Sequence, residues 1–187
     1  AYSFDPSGDF QLWEPSDPGY NADNLFRNRL AKYFLPSALE WVKAGYRDPN
    51  SPFPYLFPMS EVPTSVESGT SPGTAVFNLS RNAMPADVMA AGGLSGYGTM
   101  GQGGNVWEWQ ETEFDGVNDY LGGGNTIRGG DWSSALDSLR FDRRFGTLDR
   151  ENSSTGFRVA SIPEPTAGIL TLAMVCFPIS RGRFSAR

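Results

Sequence analysis

The 187 residues are enough for one domain with a sizeable core and too few for two comfortable ones. A composition that is 39% apolar and 13% aromatic, with 22 Gly and 14 Pro, describes a loop-rich globular chain and excludes a disordered one. With no histidine and one cysteine, Cys176, the chain is excluded from His-dependent triads, His-ligated metal sites and intrachain disulfides, and its net charge of −6 disfavours nucleic acid.

The charge is uneven. From Pro163 onward Glu164 stands against Arg181, Arg183 and Arg187, so the tail is +2 and the body −8. The body's cations are nearly all Arg, with Lys only at 32 and 43, which suits bidentate or buried ion pairs better than a diffuse basic surface.

The chain opens at Ala1 without Met or a charged-then-apolar leader, as expected of a processed protein or a fragment. Asp, Pro, Gly and Ser recur from Tyr2 to Tyr20, predicting irregular loop with at most a short strand. A helix is predicted over Asn24–Lys32, burying Leu25, Phe26 and Leu30. A stronger one runs from Ser37 to Ala44: Ser37 and Glu40 form a capping box, Leu39, Val42 and Trp41 supply an apolar face, and Gly45 offers a stop.

Six prolines between Arg47 and Gly73 predict an extended surface loop pinned by Phe53, Tyr55 and Phe57. Short strands follow at Ala75–Asn78, Asn105–Glu111, Thr126–Arg128 and Gly156–Ala160, divided by Gly runs. Within the second, Trp107 and Trp109 alternate with Val106 and Glu108, so one Trp set is expected to face the core, while Gly103 and Gly104 permit a tight turn before it. The architecture implied is α+β, loop-rich, with short twisted strands and a few helices.

The tail is built differently. Pro163-Glu164-Pro165 precedes an apolar run from Ala167 to Ile179, broken by Thr171, and then a basic end. About 13 residues fall short of the ~20 that an upright membrane helix needs. Such a run capped by Arg has the form of a transient membrane-retention signal. In order, the three parts resemble the PEP-CTERM sorting signal, which implies export by an exosortase-type machinery of a Gram-negative-type bacterium to the periplasm, cell surface or extracellular matrix. The chain is thus divided into a domain at 1–161 and a sorting tail at 162–187.

Four segments of the body carry a second resemblance: Tyr33-Phe34-Leu35-Pro36-Ser37 with Glu40-Trp41, Tyr97-Gly98 with Gly103 to Trp109, Arg128-Gly129-Gly130-Asp131-Trp132, and Gly156 to Ala160. In order and spacing they resemble the formylglycine-generating enzyme (sulfatase-modifying factor) domain, a fold similar to C-type lectins, with the portion before the first segment short or missing. The resemblance implies a calcium site formed by the backbone oxygens of Gly104 and Val106 and the Glu108 carboxylate. A further family ligand falls on Gly101, which has no side chain to offer a hard cation. The competing reading is that Glu108 accepts hydrogen bonds from the backbone or an Arg.

The family's chemistry, as the resemblance implies it, needs a serine and two copper(I)-binding cysteines. Those positions are Asp131, Ser134 and Leu139 here, and neither a hydroxyl nor an isobutyl group holds a soft ion. Copper is therefore not expected and catalysis is disfavoured; the alternative is an oxidase acting on a sulfatase cysteine. Asp131, Trp132, Ser134, Arg140 and Arg144, with Ser133, Asp137, Asp142 and Arg143 nearby, either line a ligand cleft or tie loops together, and Arg158 belongs to the second reading. The pairs Glu111/Glu113 and Asp115/Asp119 are a weak glycosidase signal in a loop of undefined geometry. The leading expectation is an exported, non-catalytic scaffold binding a glycan or protein ligand through an aromatic-rich, Gly-rich surface.

Overall fold

A computed structural model describes residues 2–4, 7, 10–59, 61–120, 124–147 and 152–162 of the chain. Residues 163–187, most of the stretch expected to be a sorting tail and including Pro163, Glu164, Pro165 and Cys176, lie outside the described residues. The arrangement is α+β as expected: among the described residues there are one helix, two 3-10 turns and ten short strands, carried by a large share of loop.

Near the N-terminus β1 (Tyr2–Phe4) pairs antiparallel with β2 (Phe10–Leu12), where the sequence gives one short strand at most. No helix forms over 24–32. Asn24 and Asn28 instead turn back on their own backbone, the Oδ1 of Asn24 accepting from Phe26 N–H at 3.1 Å and that of Asn28 from Leu30 N–H at 2.8 Å. Such local bonds compete with helical ones, and Leu30 is left exposed rather than buried.

After β3 (Tyr33–Phe34), helix α1 spans Ala38–Tyr46 with the full capping box in place. Ser37 Oγ accepts from Glu40 N–H at 3.3 Å, and Glu40 Oε2 accepts from Ser37 N–H at 2.8 Å. Trp41 and Tyr46 are fully buried and pack with ring centroids 5.3 Å apart. Leu39 does not join that face; it is 83% exposed. Nor does Gly45 stop the helix. It lies inside it, where a Cβ would stand 2.9 Å from the Gln102 amide, so glycine admits Gln102 to the helix surface.

The proline-rich stretch is loop as predicted, apart from β4 (Thr64–Ser65), which pairs parallel with β5 (Thr74–Ala75). Phe57 anchors it in an apolar cluster with Ala75, Phe77 and Leu139, and Tyr55 donates to Asp48 at 3.0 Å, whereas Phe53 is exposed.

The central sheet has the order β8 (Phe145–Thr147), β7 (Asn125–Arg128), β6 (Trp107–Glu113), β9 (Thr155–Phe157). β6 runs antiparallel to β7 and parallel to β9; β10 (Ala160–Ser161) leaves the sheet to pair with β3. Its inward face is the reverse of the one expected. Glu108, Gln110, Thr126 and Arg128 are buried, while Trp107 and Trp109 are only half-buried, Trp107 standing edge-on to Phe145 at 5.1 Å. A two-residue register shift between Trp109 and Glu113 breaks the alternation, so Gln110 and Glu111 are both buried. Among the described residues no helix is long and apolar enough to cross a membrane.

Candidate functional site

The turn entering β6 is fixed by close backbone approach. Gly104 sits at φ +86°, and a Cβ there would stand 2.2 Å from the carbonyl oxygen of Val76. Only glycine fits, which bears out the tight turn expected at this position. Gly104 N–H then donates to Gly129 O at 2.8 Å, Asn105 N–H to Val76 O at 2.7 Å and Trp132 N–H to Asn105 O at 3.0 Å. The turn thereby stitches β6 to the 128–132 segment.

One strand residue further in, Glu108 lies at the centre of the domain. Arg158 reaches it with Nε 2.7 Å from Oε2 and Nη2 against Oε1, a bidentate pair, and the Trp41 indole N–H donates to Oε2 at 2.6 Å. Arg158 also donates to Met100 O at 3.1 Å. Helix α1, strand β6 and the segment after β9 are therefore joined through one carboxylate.

That arrangement bears on the calcium ligand set of Gly104, Val106 and Glu108. Oε2 accepts from Trp41 and Arg158, and Oε1 from Arg158. Both Glu108 oxygens are thus already engaged by N–H donors. Gly104 O accepts from Val106 N–H at 2.9 Å.

The 131–144 segment makes several separate sets of contacts. Asp131 Oδ1 accepts from Ser133 N–H at 2.9 Å, Ser133 Oγ at 3.0 Å and Ser134 Oγ at 2.8 Å, while Ser134 Oγ accepts from Asp131 N–H at 3.0 Å. The serine and carboxylate are thus consumed in a self-contained turn. Leu139 is completely buried against Phe57 and Phe77. Yet Ser134 and Leu139 remain neighbours: the position a Cβ would take on Gly130 lies 3.2 Å from Ser134 Cβ and 3.1 Å from Leu139 Cδ1. Gly130 thus lies against both a hydroxyl residue and a core leucine.

Trp132 is also buried, its Nε1 without a partner among the described residues. Arg140 pairs outward with Asp142 at 2.7 Å and Asp137 at 3.5 Å, Arg143 pairs with Asp137 at 2.6 Å, and Arg144 lies over the Phe114 ring at 5.2 Å. The loop-tying reading of these arginines fits their geometry.

Two arginines that sequence reasoning missed do more. Arg27 binds Glu111 through Nε, Glu40 Oε2 at 2.7 Å and Leu35 O at 3.2 Å, and lies over the Phe34 ring at 3.9 Å. Burial opposes its charge, but the bonds to Glu40 and Glu111 outweigh it and raise its pKa. Arg27 in turn holds the Glu40 carboxyl down at about 2. The strand bulge is what turns Glu111 inward to meet it. Glu111 is thus an ion-pair partner, Glu113 is buried in the sheet, and Asp115 and Asp119 are exposed.

Arg128, an inward residue of β7 two positions from buried Thr126, donates to Gln110 Oε1 at 3.2 Å, Arg143 O at 3.0 Å and Phe141 O. Its period-2 spacing from Thr126 is the signal that marks it as inward.

The model of the sulfatase-modifying factor enzyme 1-like domain matches residues 20–162. The chain belongs to that family. No curated protein matches it. Among solved structures, Treponema denticola variable protein 1 is similar, at 22% identity and a TM-score of 0.51. The likeness covers 87% of this chain and 62% of that one, and at this identity it speaks for the fold alone. Within this domain Glu108, Trp41 and Arg158 meet at one hydrogen-bonded hub.

Proposed function

We propose that this chain is a non-catalytic member of the sulfatase-modifying factor family, exported to the cell surface or extracellular matrix, where it serves as a binding scaffold for a glycan or protein ligand. The observation that carries the reading is the packing of Leu139: the second thiolate position is a fully buried core residue beside Phe57 and Phe77, not a vacated ligand site. A soft metal has no ligand there, and the neighbouring Ser134 is bonded to Asp131. The Glu108 carboxylate, in this proposal, anchors the fold through Arg158 and Trp41 rather than holding calcium.

Export is supported by the sequence pattern of Pro163-Glu164-Pro165, apolar run and Arg-rich end, which calls for exosortase-type sorting and a transient membrane contact. Binding is supported by exposed aromatics on loops and edges, among them Tyr97, Tyr120 and Phe157, suited to stacking on sugar faces or packing on protein. The test is a glycan array together with retention on exopolysaccharide and on matrix proteins from a producing culture. Saturable retention that weakens on Tyr97→Ser or Tyr120→Ser supports the scaffold; no retention on any of them overturns it.

A further inference from the structure

Between helix α1 and the 141–142 segment lies a groove of about 460 Å³ whose lining joins apolar Ala38, Leu39, Val42, Pro54 and Phe141 to charged Lys43, Arg47, Arg128 and Asp142. The volume and the apolar lining with a few polar groups are those of a site for a small ligand or peptide segment.

Arg128 is what makes the groove more than a surface fold. It is 8% exposed and pairs with no carboxylate among the described residues; its bonds go to two carbonyls and one amide oxygen through Nε and Nη1, and Nη2 donates to none of them. Burial, with Arg144 nearby, disfavours its charge. The carboxylate that attracts it, Asp142, is itself bonded to Arg140, so this buried cation is only partly compensated, and in an acidic domain it lines an open groove. Lys43 and Arg47 carry no side-chain partner among the described residues either, so three cations face one carboxylate.

That carboxylate selects among anions. Asp142 is tied bidentately to Arg140, at 3.0 and 2.7 Å, and stands on the wall with lone pairs to spare. It repels a dianion such as phosphate and accepts from an N–H. A ligand that matches all three features has a single carboxylate for Arg128 Nη2, an adjacent N–H for Asp142 and an apolar side chain for Leu39, Val42 and Phe141. The geometry points to this groove as a binding site for the carboxy-terminal residue of a peptide chain, with an apolar side chain at that residue. The assignment rests on the proposed reading of the chain as a binding protein and names a ligand class for it.

The test uses the full chain and three probes: N-acetyl-Ala-Ala-Leu with a free carboxylate, its carboxy-terminal amide, and 4-methylpentanoate, which has the acid and the apolar body but no N–H. Binding is followed by titration calorimetry and by amide and Arg side-chain NMR shifts. The free peptide is expected to bind with shifts confined to 38–47, 128 and 141–142, and the amide and the simple acid each about tenfold or more weaker, as the loss of a charge-assisted bond implies. Lys43→Glu/Arg47→Glu, at two exposed positions that leave the core untouched, is expected to weaken the peptide about tenfold or more; Arg128→Gln abolishes binding where circular dichroism shows it folded. Equal affinity for acid and amide, indifference to the Lys43/Arg47 change, or shifts elsewhere overturn the assignment, and 4-methylpentanoate binding as tightly as the peptide overturns the peptide source. No peptide binding alongside retention on a glycan would sink the groove and leave the scaffold reading intact.

Discussion

Replacing Glu108 with Gln keeps the shape of the strand and removes the charge on which Trp41 and Arg158 converge. Glu108 is 6% exposed and the Arg158 side chain 25%. Breaking a buried ion pair on one side costs about 3–5 kcal/mol because the remaining charge is left uncompensated. Arg158 is a quarter exposed and keeps its bond to Met100 O, so Glu108→Gln is expected at the low end, about 3 kcal/mol. For a domain of this size that is a fall in Tm of roughly 6–12 °C. Arg158→Gln should cost more, since it strands the more deeply buried partner, and the double variant should cost less than the sum. Urea unfolding followed by fluorescence, with an unchanged m-value, reads all three, and the Trp41 indole N–H resonance reports loss of the bond directly. The reasoning is refuted if Glu108→Gln costs under about 1 kcal/mol or if the two single variants add without coupling.

Leu139→Ala opens a cavity against Phe57 and Phe77 and is expected to cost about 3 kcal/mol, read in the same unfolding experiment; a change within about 0.5 kcal/mol would mean that the side chain is not core. Gly104→Ala places a methyl 2.2 Å from Val76 O at positive φ, and should give little soluble folded protein on expression. Glu40 supplies an acid transition: its folded carboxyl lies near 2, below the unfolded value near 4.5, so its stabilisation is present above pH ~4.5 and disappears as pH falls toward ~2. Melting curves should therefore show wild type losing more stability than Glu40→Gln across that window, and parallel losses would contradict the Arg27–Glu40 link. Calcium added against a chelator is expected to leave Tm unmoved, because Arg158 already satisfies Glu108; a rise that saturates with calcium would contradict it.

The parts of the fold that sequence made legible are those fixed by local chemistry. Ser37 and Glu40 announce the helix because their bonds lie within three residues, and Gly104 announces its turn because no Cβ fits. What stayed hidden depends on contacts distant along the chain. Asn24 and Asn28 choose turns over helix, and Arg27 is held at the join of Glu40 and Glu111, the latter 84 positions away and turned inward by a bulge that leaves no mark in composition. The inward face of β6 was misjudged for a related reason. Alternation tells which residues share a face but not which face is buried, and the usual preference for buried Trp loses here to a Glu108 that Arg158 neutralises from 50 positions downstream. The candidate site followed suit: which residues stand at 131, 134 and 139 is legible in the sequence, whereas the burial of Leu139 and the groove that Arg128 lines belong to packing.

The most direct test of the central claim is an aerobic oxidase assay with the full chain, copper(I) supplied and a sulfatase-derived cysteine peptide as substrate. The expected result is no oxygen uptake and no aldehyde above the copper-only control. Enzyme-dependent conversion of the cysteine to formylglycine, lost on Ser134→Ala, would contradict it.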